Sequence, residues 1–542
     1  MRHFLYKIFL YFRPYIFSVC AGLASFFAFA PYSQFWILFF TLPCLVFYTN
    51  EAKTKTQAVL QAGLFGGVFF ETSLFWAVKG LFSEFGLLVY VLFVIFLFLL
   101  GFFFYGAAAF LARFFKKGLA RIIAFLVFIS LSEYVQSYFI FRLSWLFMAN
   151  AWVNFPAMLQ FFNLAGTFGY GFLTLFIFTS PVFLFSKEKH YISFILAVVL
   201  TGVIFLYGHN RLKNMPSTEH IPDINLRLVQ KHQTRSFQNI PAYITPVLFD
   251  NEIFSALKKP FQSKGKTLLF FAETFIRTHI KDEPLLFTAP LEKDYPDFYI
   301  FTGALRTKPK EKSHNSILVV DNKARILDLN DKYQLVPVGE YIPFIDNFRN
   351  FTRGKGPKTF HLKDVPAVGA VNCVEITYPR VFIDQKDRPL WIAAITNDSS
   401  YLNTLGTLQY LTFSQIRAVE EGLPVVKIST PHGVSAVINP YGQIEAFLPK
   451  GQIGILDAAL PTALPPTFYS RFGNIPFLAG SVFLLTICFF ISFFTKKSPS
   501  PEEENEKQNQ VEKTIRPSLP KAKKAKEIMR QKRAEKRKRN KK

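Results

Sequence analysis

Long apolar runs are the feature that most restricts how this chain can fold. The run Leu87–Tyr105 (LLVYVLFVIFLFLLGFFFY) contains no charged residue. The hydrocarbon core of a bilayer is about 30 Å thick, so a helix of about 20 apolar residues can span it. A multi-span α-helical membrane bundle is therefore expected. The predicted spans lie at residues 16–29, 35–48, 57–78, 86–112, 122–140, 164–185, 191–207 and 476–495.

Two features of these spans leave alternatives open. The first two are short and meet at Pro31, so they form either separate spans or one hairpin of tilted, partly re-entrant helices. The third span carries Glu71 and the fifth carries Glu133. An ionisable group inside a span is costly and usually faces the bundle or a cavity. Each carboxylate therefore either faces the bundle interior or lies beyond the true end of its span.

The basic residues of the short loops predict the orientation. The N-terminus and every second loop together carry 11 Lys and Arg, whereas the opposite loops carry only Lys79 and Arg142. Lys and Arg accumulate in cytoplasmic loops. We therefore expect a multi-pass protein of a bacterial inner (cytoplasmic) membrane, with both termini cytoplasmic and the large insert on the periplasmic side.

A basic tail accounts for much of the formal net charge of +25. Residues 496–542 contain 18 Lys and Arg against 7 Asp and Glu, a net charge of +11. This composition is typical of a disordered cytoplasmic segment. Attraction to anionic lipid headgroups, at about 1 kcal/mol per basic residue, is the favoured interpretation. RNA or ribosome binding is the alternative, but no folded nucleic-acid motif accompanies the tail, so no nucleic-acid partner is expected.

The segment between the last two spans has a different pattern. It follows a predicted bundle of about seven helices at 1–207, covers residues 208–475, and precedes the eighth helix at 476–495. Short β-rich runs alternate with helical ones, which predicts a layered α/β domain. The amphipathic run 408–422 predicts a helix that ends at Gly422. The predicted strands and hairpins are 226–230, 267–271, 298–303, 316–329, 369–376, 390–397 and 434–448.

Cys373 is the one cysteine predicted outside the spans, and the strand ends around it carry charged residues. Cys20, Cys44 and Cys488 fall in predicted spans. A lone thiol is either buried and inert or kept for reactivity, and a reactive thiol needs a base or a cation. Glu273 follows one predicted strand and Lys332 follows a hairpin. Ligand crevices form at strand ends of α/β sheets. The three residues together suggest a base, a cation and a nucleophile.

Other chemistry finds little support in the sequence. His432 is the one histidine worth weighing as a base, and a hydrogen-bonded loop histidine is its expected role. No HExxH or CxxC pattern is present. Metal sites of the known short-motif types require such spacing, so no metal and no cofactor are expected.

Three segments resemble the motifs of a known superfamily. FFAET (270–274), NDKYQLVPVGEYIP (330–343) and VNCVEITYP (371–379) are similar to the three motifs of the carbon–nitrogen hydrolase, or nitrilase, superfamily. That superfamily has an α-β-β-α sandwich and a Glu-Lys-Cys triad. With spans before and after the domain, residues 1–495 resemble the apolipoprotein N-acyltransferases. Weaker similarity lies at Ser144-Trp145 and in the run 156–169.

The resemblance implies a role for each matching residue. Glu273 would be the general base, Cys373 the nucleophile and Lys332 the group that stabilises the oxyanion. The backbone N–H of Val374 would be a second oxyanion donor. Two further matching residues are the family's additional carboxylates, of which the first orients the lysine: Glu340 and Glu375.

The resemblance also implies the reaction and its partners. An acyl chain would pass from a phospholipid in the bilayer to Cys373 as a thioester, then to the N-terminal amine of a diacylglyceryl-cysteine on an apolipoprotein. The chain departs from the family pattern at Lys231-His232, at Ser399-Ser400-Tyr401 and at Pro431-His432. Two other hypotheses stay open: a membrane-tethered nitrilase-type amidase, and a non-enzymatic transporter or scaffold.

Overall fold

Thirteen strands and eleven α-helices are defined in the residues that a computed structural model of the chain describes. The described residues are 2–139, 142–185, 190–216, 219–232, 265–278, 297–306, 312–323, 325–336, 339–341, 351–401 and 404–494. The helices are α1 Arg2–Ser25, α2 Leu38–Glu51, α3 Lys55–Ala112, α4 Leu119–Tyr138, α5 Pro156–Leu159, α6 Phe162–Thr179, α7 Pro181–Phe185, α8 Tyr191–Lys213, α9 Gly406–Glu421, α10 Phe468–Phe472 and α11 Ile475–Phe494.

Six helical segments within these ranges are long and apolar enough to cross a membrane. They are Lys55–Ala77, Gly86–Ala112, Leu119–Tyr138, Phe162–Phe185, Tyr191–Lys213 and Ile475–Phe494. These confirm six of the predicted spans. The predicted span 35–48 falls in a shorter apolar helix, Phe35–Glu51, and 16–29 covers the end of α1 and a short 3₁₀ turn. Whether these two segments cross the membrane remains a prediction.

Gly86 and Glu133 mark two departures from plain apolar helices. The backbone of Gly86 has φ +79°, in the region that favours glycine, and it divides α3 into two straight parts. Glu133 in α4 is 4% exposed, and its Oε1 accepts the backbone N–H of Met148 at 3.0 Å. Glu133 therefore faces the bundle interior, one of the two predicted alternatives for it. Glu71 is half-buried.

The strands of the domain form two sheets. The strands are β1 His220–Gln230, β2 Lys266–Phe270, β3 Ile276–Thr278, β4 Phe298–Arg306, β5 His314–Asp321, β6 Ile326–Asp331, β7 Lys358–Leu362, β8 Val365–Asn372, β9 Trp391–Ile395, β10 Val425–Ile428, β11 Ser435–Ile438, β12 Ile444–Leu448 and β13 Gly454–Pro461. One sheet has the order β13-β1-β2-β4-β5-β6, with β3 beside β4, and the other has the order β12-β11-β10-β9-β8-β7.

Each sheet is parallel at its centre and antiparallel at its edges. In the first sheet β1, β2 and β4 are parallel, and in the second β8, β9 and β10 are parallel. Side chains such as Leu268, Phe270, Trp391 and Ala393 pack between the sheets in one apolar core. The carboxyl ends of β2, β8 and β9 lead directly into residues 271–274, 373 and 396–398, which brings the predicted catalytic motifs to one edge of the sandwich.

The predicted nitrilase-like sandwich is confirmed, with one correction to its strands. The two hairpins form as predicted, and α9 ends at Gly422, whose φ is +70°. The strand predicted at 369–376 was expected to include Cys373, but β8 ends at Asn372. Cys373 has φ +49°, which a pleated strand cannot accommodate, so the chain turns there.

The membrane bundle and the domain share a second apolar core. Buried side chains of α6 and of the segment after α4, including Phe168 and Trp145, belong to the same cluster as Cys373, Val374 and Ile376. Helix α8 ends at Lys213 and β1 begins at His220. The predicted boundary near residue 207 lies close to this junction, and the domain boundaries themselves remain predictions.

Candidate active site

Lys332 lies between two carboxylates at the edge of the sandwich. Its Nζ is 3.1 Å from Oε1 of Glu273 and 2.8 Å from Oε1 of Glu340. The Lys332 side chain is 1% exposed, so the three charges interact with little screening by water. Glu273 follows β2, whereas Lys332 directly follows β6. The strand ends therefore form a buried cluster with one positive and two negative groups.

Amide groups hold this cluster in place. Nδ2 of Asn315 donates to Oε1 of Glu273 at 2.7 Å and to Oε1 of Glu340 at 2.9 Å. The backbone N–H of Asn397 donates to Oε2 of Glu273 at 2.9 Å, and the N–H of Val336 donates to Oε2 of Glu340 at 2.8 Å. Both carboxylates are thus held by amide N–H groups, which do not titrate near neutral pH.

Cys373 begins a buried 3₁₀ turn, Cys373–Thr377, at the end of β8. A capping box secures its start: the side chain of Asn372 accepts from the backbone of Glu375, and Oε2 of Glu375 accepts from the N–H of Asn372 at 2.8 Å. Nδ2 of Asn372 also donates to Oδ1 of Asn315 at 3.0 Å. The amide chain from Asn372 to Asn315 therefore connects the thiol's turn to the carboxylates around Lys332.

The charges around Cys373 set its protonation and that of Lys332. Burial, followed by the negative charge of Glu273, raises the pKa of the Cys373 thiol well above its ordinary value, and Lys332 only partly opposes this. Burial disfavours the charged form of Lys332, but Glu273 and Glu340 outweigh it and raise the Lys332 pKa well above its ordinary value. At neutral pH the thiol is protonated and the lysine is charged. A thiol in this state needs a base to become nucleophilic.

Glu375 joins the lysine segment to the thiol's turn. Its Oε1 accepts the backbone N–H groups of Tyr333 at 2.5 Å and of Gln334 at 3.1 Å. Burial raises the pKa of Glu375 to about 7, although three backbone N–H groups and Lys332 lower it. The carboxyl group thus fixes two catalytic segments relative to each other without contacting the reacting atoms.

A series of packed aromatic side chains connects the thiol to the membrane bundle. Sγ of Cys373 is 3.7 Å from the hydroxyl of Tyr410 in α9, and the thiol residue is 5% exposed. Trp145 lies 4.8 Å from the Tyr410 ring and 5.0 Å from Trp76 of α3, between ring centroids. Tyr401 lies 5.3 Å from Trp76. Aromatic packing therefore extends from the thiol to α3 of the bundle.

The structure brings the predicted residues together. Glu273, Lys332 and Glu340 are joined by direct hydrogen bonds, Glu375 binds the two backbone N–H groups that follow Lys332, and Cys373 is close enough to Lys332 for their charges to interact. Val374 lies in the turn after the thiol. Their roles in catalysis remain predictions. Within the described residues, no group of His, Cys, Asp and Glu side chains could hold a metal ion.

Two family models and several curated relatives match this chain. The profile of the apolipoprotein N-acyltransferase N-terminal domain matches residues 21–180, and that of carbon-nitrogen hydrolase matches residues 296–464. The apolipoprotein N-acyltransferase of Bradyrhizobium diazoefficiens is 29% identical over 85% of this chain and 91% of its own length. That of Rhodopseudomonas palustris is 26% identical over 89% of this chain and 95% of its own length. The chain is therefore similar to apolipoprotein N-acyltransferases over most of its length.

A solved structure matches the catalytic domain alone. The nitrilase-superfamily protein Nit3 of Saccharomyces cerevisiae covers 47% of this chain and 94% of its own, with 19% identity and a TM-score of 0.34.

Two departures from the apolipoprotein N-acyltransferase pattern lie next to each other. His232 and His432 have ring centroids 5.2 Å apart. Burial and the neighbouring His232 lower the pKa of His432, and its Nδ1 has no hydrogen-bond partner in the described part of the chain. The expectation of a hydrogen-bonded loop histidine is therefore not met at that nitrogen. The third departure places Tyr401 in the aromatic packing near Cys373.

Asn315 and Tyr410 are site residues that the sequence did not reveal. Asn315 lies near the start of β5, and Tyr410 lies in the first part of α9. Neither residue belongs to a motif with catalytic spacing. A sequence signal existed only for Asn397, which fits the family pattern after β9.

Proposed function

We propose that the protein transfers a fatty acyl chain from a phospholipid to the N-terminal amine of diacylglyceryl-cysteine on apolipoproteins. The observation that carries this proposal is the buried Glu273–Lys332–Glu340 cluster beside Cys373, together with the aromatic packing that connects the thiol to the membrane bundle. The family establishes an acyltransferase of lipoprotein maturation. The donor, the thioester intermediate and the residue roles are parts of the proposal.

In the first half-reaction Cys373 attacks the ester carbonyl of the phospholipid. Glu273 takes the thiol proton as the Sγ–C bond forms, and Lys332 stabilises the negative oxygen of the tetrahedral intermediate. The backbone N–H of Val374 is proposed as the second donor. The ester C–O bond then breaks, Glu273 returns the proton to the leaving alkoxide, and a lysophospholipid departs. Cys373 carries the acyl group as a thioester.

In the second half-reaction the amine of the lipoprotein attacks that thioester. Glu273 accepts a proton from the attacking nitrogen, the C–S bond breaks, and the thiolate of Cys373 regains a proton. An amide and the free enzyme result. Because the first product leaves before the second substrate reacts, ping-pong kinetics are expected.

The protein is a bacterial membrane protein, as its six apolar helices and its bacterial relatives indicate. We propose an inner-membrane location with the catalytic domain in the periplasm and both termini in the cytoplasm. The excess of Lys and Arg in alternate short loops supports this orientation. A buried thiol beside membrane helices suits a donor that arrives from the bilayer.

Trapping the acyl-enzyme tests the proposal. The purified protein is incubated with phospholipid of one defined acyl chain and without a lipoprotein acceptor. Mass spectrometry of the peptide that contains Cys373 should show the mass of that acyl chain. Hydroxylamine should remove it, because thioesters react with amines. Adding a diacylglyceryl peptide with a free amine should move the acyl chain onto the peptide.

The remaining cysteines supply an internal control. Cys20, Cys44 and Cys488 lie in α1, α2 and α11 and should stay unmodified. The Cys373→Ala variant should carry no acyl group and transfer none. Acyl transfer that survives this substitution contradicts the proposal. Hydrolysis of a small soluble amide in lipid-free detergent, without acyl transfer, would favour the tethered amidase.

A further inference from the structure

The turn that carries Cys373 adopts a conformation that it cannot maintain alone. Cys373 has φ +49°, and a non-glycine residue in this region costs on the order of 1 kcal/mol or more. Such strain persists only where surrounding contacts fix the backbone. The turn is five residues long, so its last carbonyl groups lack partners within a helix. The groups that bind those carbonyls therefore decide where the thiol lies.

Arg417 binds two of these carbonyls with one guanidinium. Its Nε donates to the carbonyl of Ile376 at 3.0 Å, and its Nη2 donates to that of Thr377 at 3.1 Å. Arg417 lies in α9 and has no exposed surface. Two donors in a fixed plane hold two consecutive peptide groups in one orientation, which a lysine cannot reproduce.

The membrane bundle in turn holds Arg417. Nη1 of Arg417 donates to Glu420 and, at 3.1 Å, to Oγ1 of Thr167. Thr167 donates to Oε1 of Glu420 at 2.7 Å. Thr167 belongs to α6, one of the helices long and apolar enough to span the membrane. The arginine is thus fixed from its far side by a membrane helix.

The bundle also contacts the turn directly. Oγ of Ser144 donates to the carbonyl of Thr377 at 2.9 Å, the same oxygen that Arg417 binds. The hydroxyl of Tyr138 in α4 donates to the carbonyl of Pro379 at 2.8 Å. Donors from the bundle therefore bind the chain at both residue 377 and residue 379.

We propose that Arg417, supported by Ser144 and by Thr167 of the membrane bundle, is a positioning residue that sets the place of Cys373 relative to Glu273 and Lys332. It does not touch substrate or reacting atoms. The proposal rests on the proposed function for its rate measurements. According to this proposal the membrane helices do more than anchor the enzyme, because their contacts with Arg417 and with the turn help to position the nucleophile Cys373.

The Arg417→Lys variant tests this role. It keeps the buried positive charge but loses the fork that binds both carbonyls. Misplacing a reacting group by about 1 Å can cost roughly 100-fold in rate. We expect the single-turnover rate constant of thioester formation to fall by about that factor, with little change in the phospholipid concentration for half-maximal rate. The burst amplitude reports the fraction of folded, competent protein and should stay near that of the wild type.

Arg388→Lys is the matched control. Arg388 is partly buried, and it likewise donates to a hydroxyl and to a backbone carbonyl: Oγ of Ser470 at 3.1 Å and the carbonyl of Glu421. Neither contact involves the Cys373 turn. Its rate constant should remain within about twofold of the wild-type value. A lower burst amplitude in Arg417→Lys with an unchanged rate constant would mean a purely structural role and would overturn the proposal.

Two variants keep the test decisive if Arg417→Lys does not fold. Ser144→Ala removes one of two donors to the Thr377 carbonyl, and Thr167→Val removes the support from α6. One hydrogen bond corresponds to roughly 3- to 10-fold in rate, and each variant should slow thioester formation by about that factor. Wild-type rate constants in both would contradict the positioning role.

A lipid-free measurement separates this proposal from the proposed function. If wild-type protein forms no thioester, the proposed function fails, but the position of the thiol can still be read by alkylation with iodoacetamide. Arg417→Lys should then alkylate at Cys373 roughly 10-fold faster than wild type, because loosening the turn exposes the thiol, whereas Arg388→Lys should match wild type. Equal rates in all three proteins would overturn the positioning role.

Discussion

The protein contains two buried ionic clusters that differ in charge balance. Around Lys332, one cation faces two carboxylates, with a thiol nearby. Around Arg417, one cation faces one carboxylate, Glu420, and both side chains have no exposed surface. Every guanidinium nitrogen of Arg417 donates to an oxygen. The first cluster has an excess negative charge, and the second is electrically neutral.

The difference in charge indicates a chemical role for the first cluster and a structural role for the second. In the first cluster a carboxylate can accept the proton of the nearby thiol. Lys332 is then still charged and can stabilise the negative charge that develops on the sulfur or on the substrate oxygen. A neutral, fully hydrogen-bonded pair has no such capacity. Buried pairs of that kind add little to net stability, but removing one partner is costly. The clusters should therefore respond differently when a charge is removed: the first should lose mainly rate, whereas the second should lose stability in addition to any effect of Arg417 on the position of the thiol.

Lys332→Met should give the largest loss of activity. The variant lacks the oxyanion cation, and losing one such group costs about 10²–10³-fold in turnover. It also leaves Glu273 and Glu340 buried without a countercharge. We expect acyl transfer to fall by at least about 10³-fold, measured as the initial rate per folded molecule.

Lys266→Met provides the contrast. Lys266 is 7% exposed, pairs with Asp297 at 3.0 Å and lies over the Tyr299 ring at the start of β2, the end of the strand away from Glu273. This variant should lose stability and retain its rate within about twofold. A comparable loss of rate in both variants would show that burial of any lysine, rather than the position of Lys332, explains the effect.

Glu420→Ala should instead lower stability. It leaves Arg417 as a buried charge without its carboxylate, at a cost of about 3–5 kcal/mol. The melting temperature in detergent should drop, and the folded fraction should keep more activity than Lys332→Met does. The double variant Glu420→Leu/Arg417→Met should recover part of the melting temperature while its rate stays low. Recovery of both quantities would remove the distinction between the clusters.

The sequence predicted these clusters unequally. Glu273, Lys332 and Cys373 were predicted because each follows a predicted strand or hairpin or lies near a strand end, whereas Glu340 and Glu375 were predicted only from the resemblance to the nitrilase superfamily. Arg417 and Glu420 lie three residues apart on an amphipathic helix. Such a pair is usually solvent-exposed, so the sequence did not indicate a buried role for it. Their partners, Thr167 and the carbonyls of residues 376 and 377, are distant in sequence. No local pattern records such contacts.

The fold shows the same limit. Apolar runs and alternation predicted six of the spans, both hairpins and helix α9, because each depends on local periodicity. The end of β8 was predicted wrongly, since the pattern of apolar residues continues through Cys373 and Ile376. Those side chains are apolar because they pack on the membrane bundle, not because they continue a strand. Only tertiary contacts show whether an apolar residue there continues the strand or packs on the bundle.

The carboxyl group of Glu375, which joins the Cys373 turn to the segment after Lys332, should make the stability of the protein depend on pH. Its pKa rises from 4.5 to about 7 on folding, so between these values the native state binds more protons than the unfolded state. Stability from this group is therefore complete below pH 4.5 and is lost as the pH rises through about 7. Glu375→Gln removes this titration.

The measurement compares unfolding of wild type and Glu375→Gln from pH 4.5 to 8. The stability of wild type relative to the variant should fall by more than about 1 kcal/mol per pH unit inside the window and level off above it. The control variant Asp364→Asn should give a flat difference, since Asp364 is 66% exposed and the charged group near it, Lys266, does not titrate in this range. A flat difference for Glu375→Gln would mean that its three backbone donors keep it ionised throughout.

Tyr410→Phe should give the smallest effect and tests how far the catalytic cluster extends. The hydroxyl lies 3.7 Å from Sγ of Cys373, a distance at which a thiol hydrogen bond contributes about 1 kcal/mol or less. The ring would keep its contact with Trp145. We expect a two- to fivefold fall in the rate of thioester formation, measured in single turnover. A loss beyond 100-fold would place the hydroxyl in the proton path, and proton transfer at Cys373 would then no longer depend on the Lys332 cluster alone.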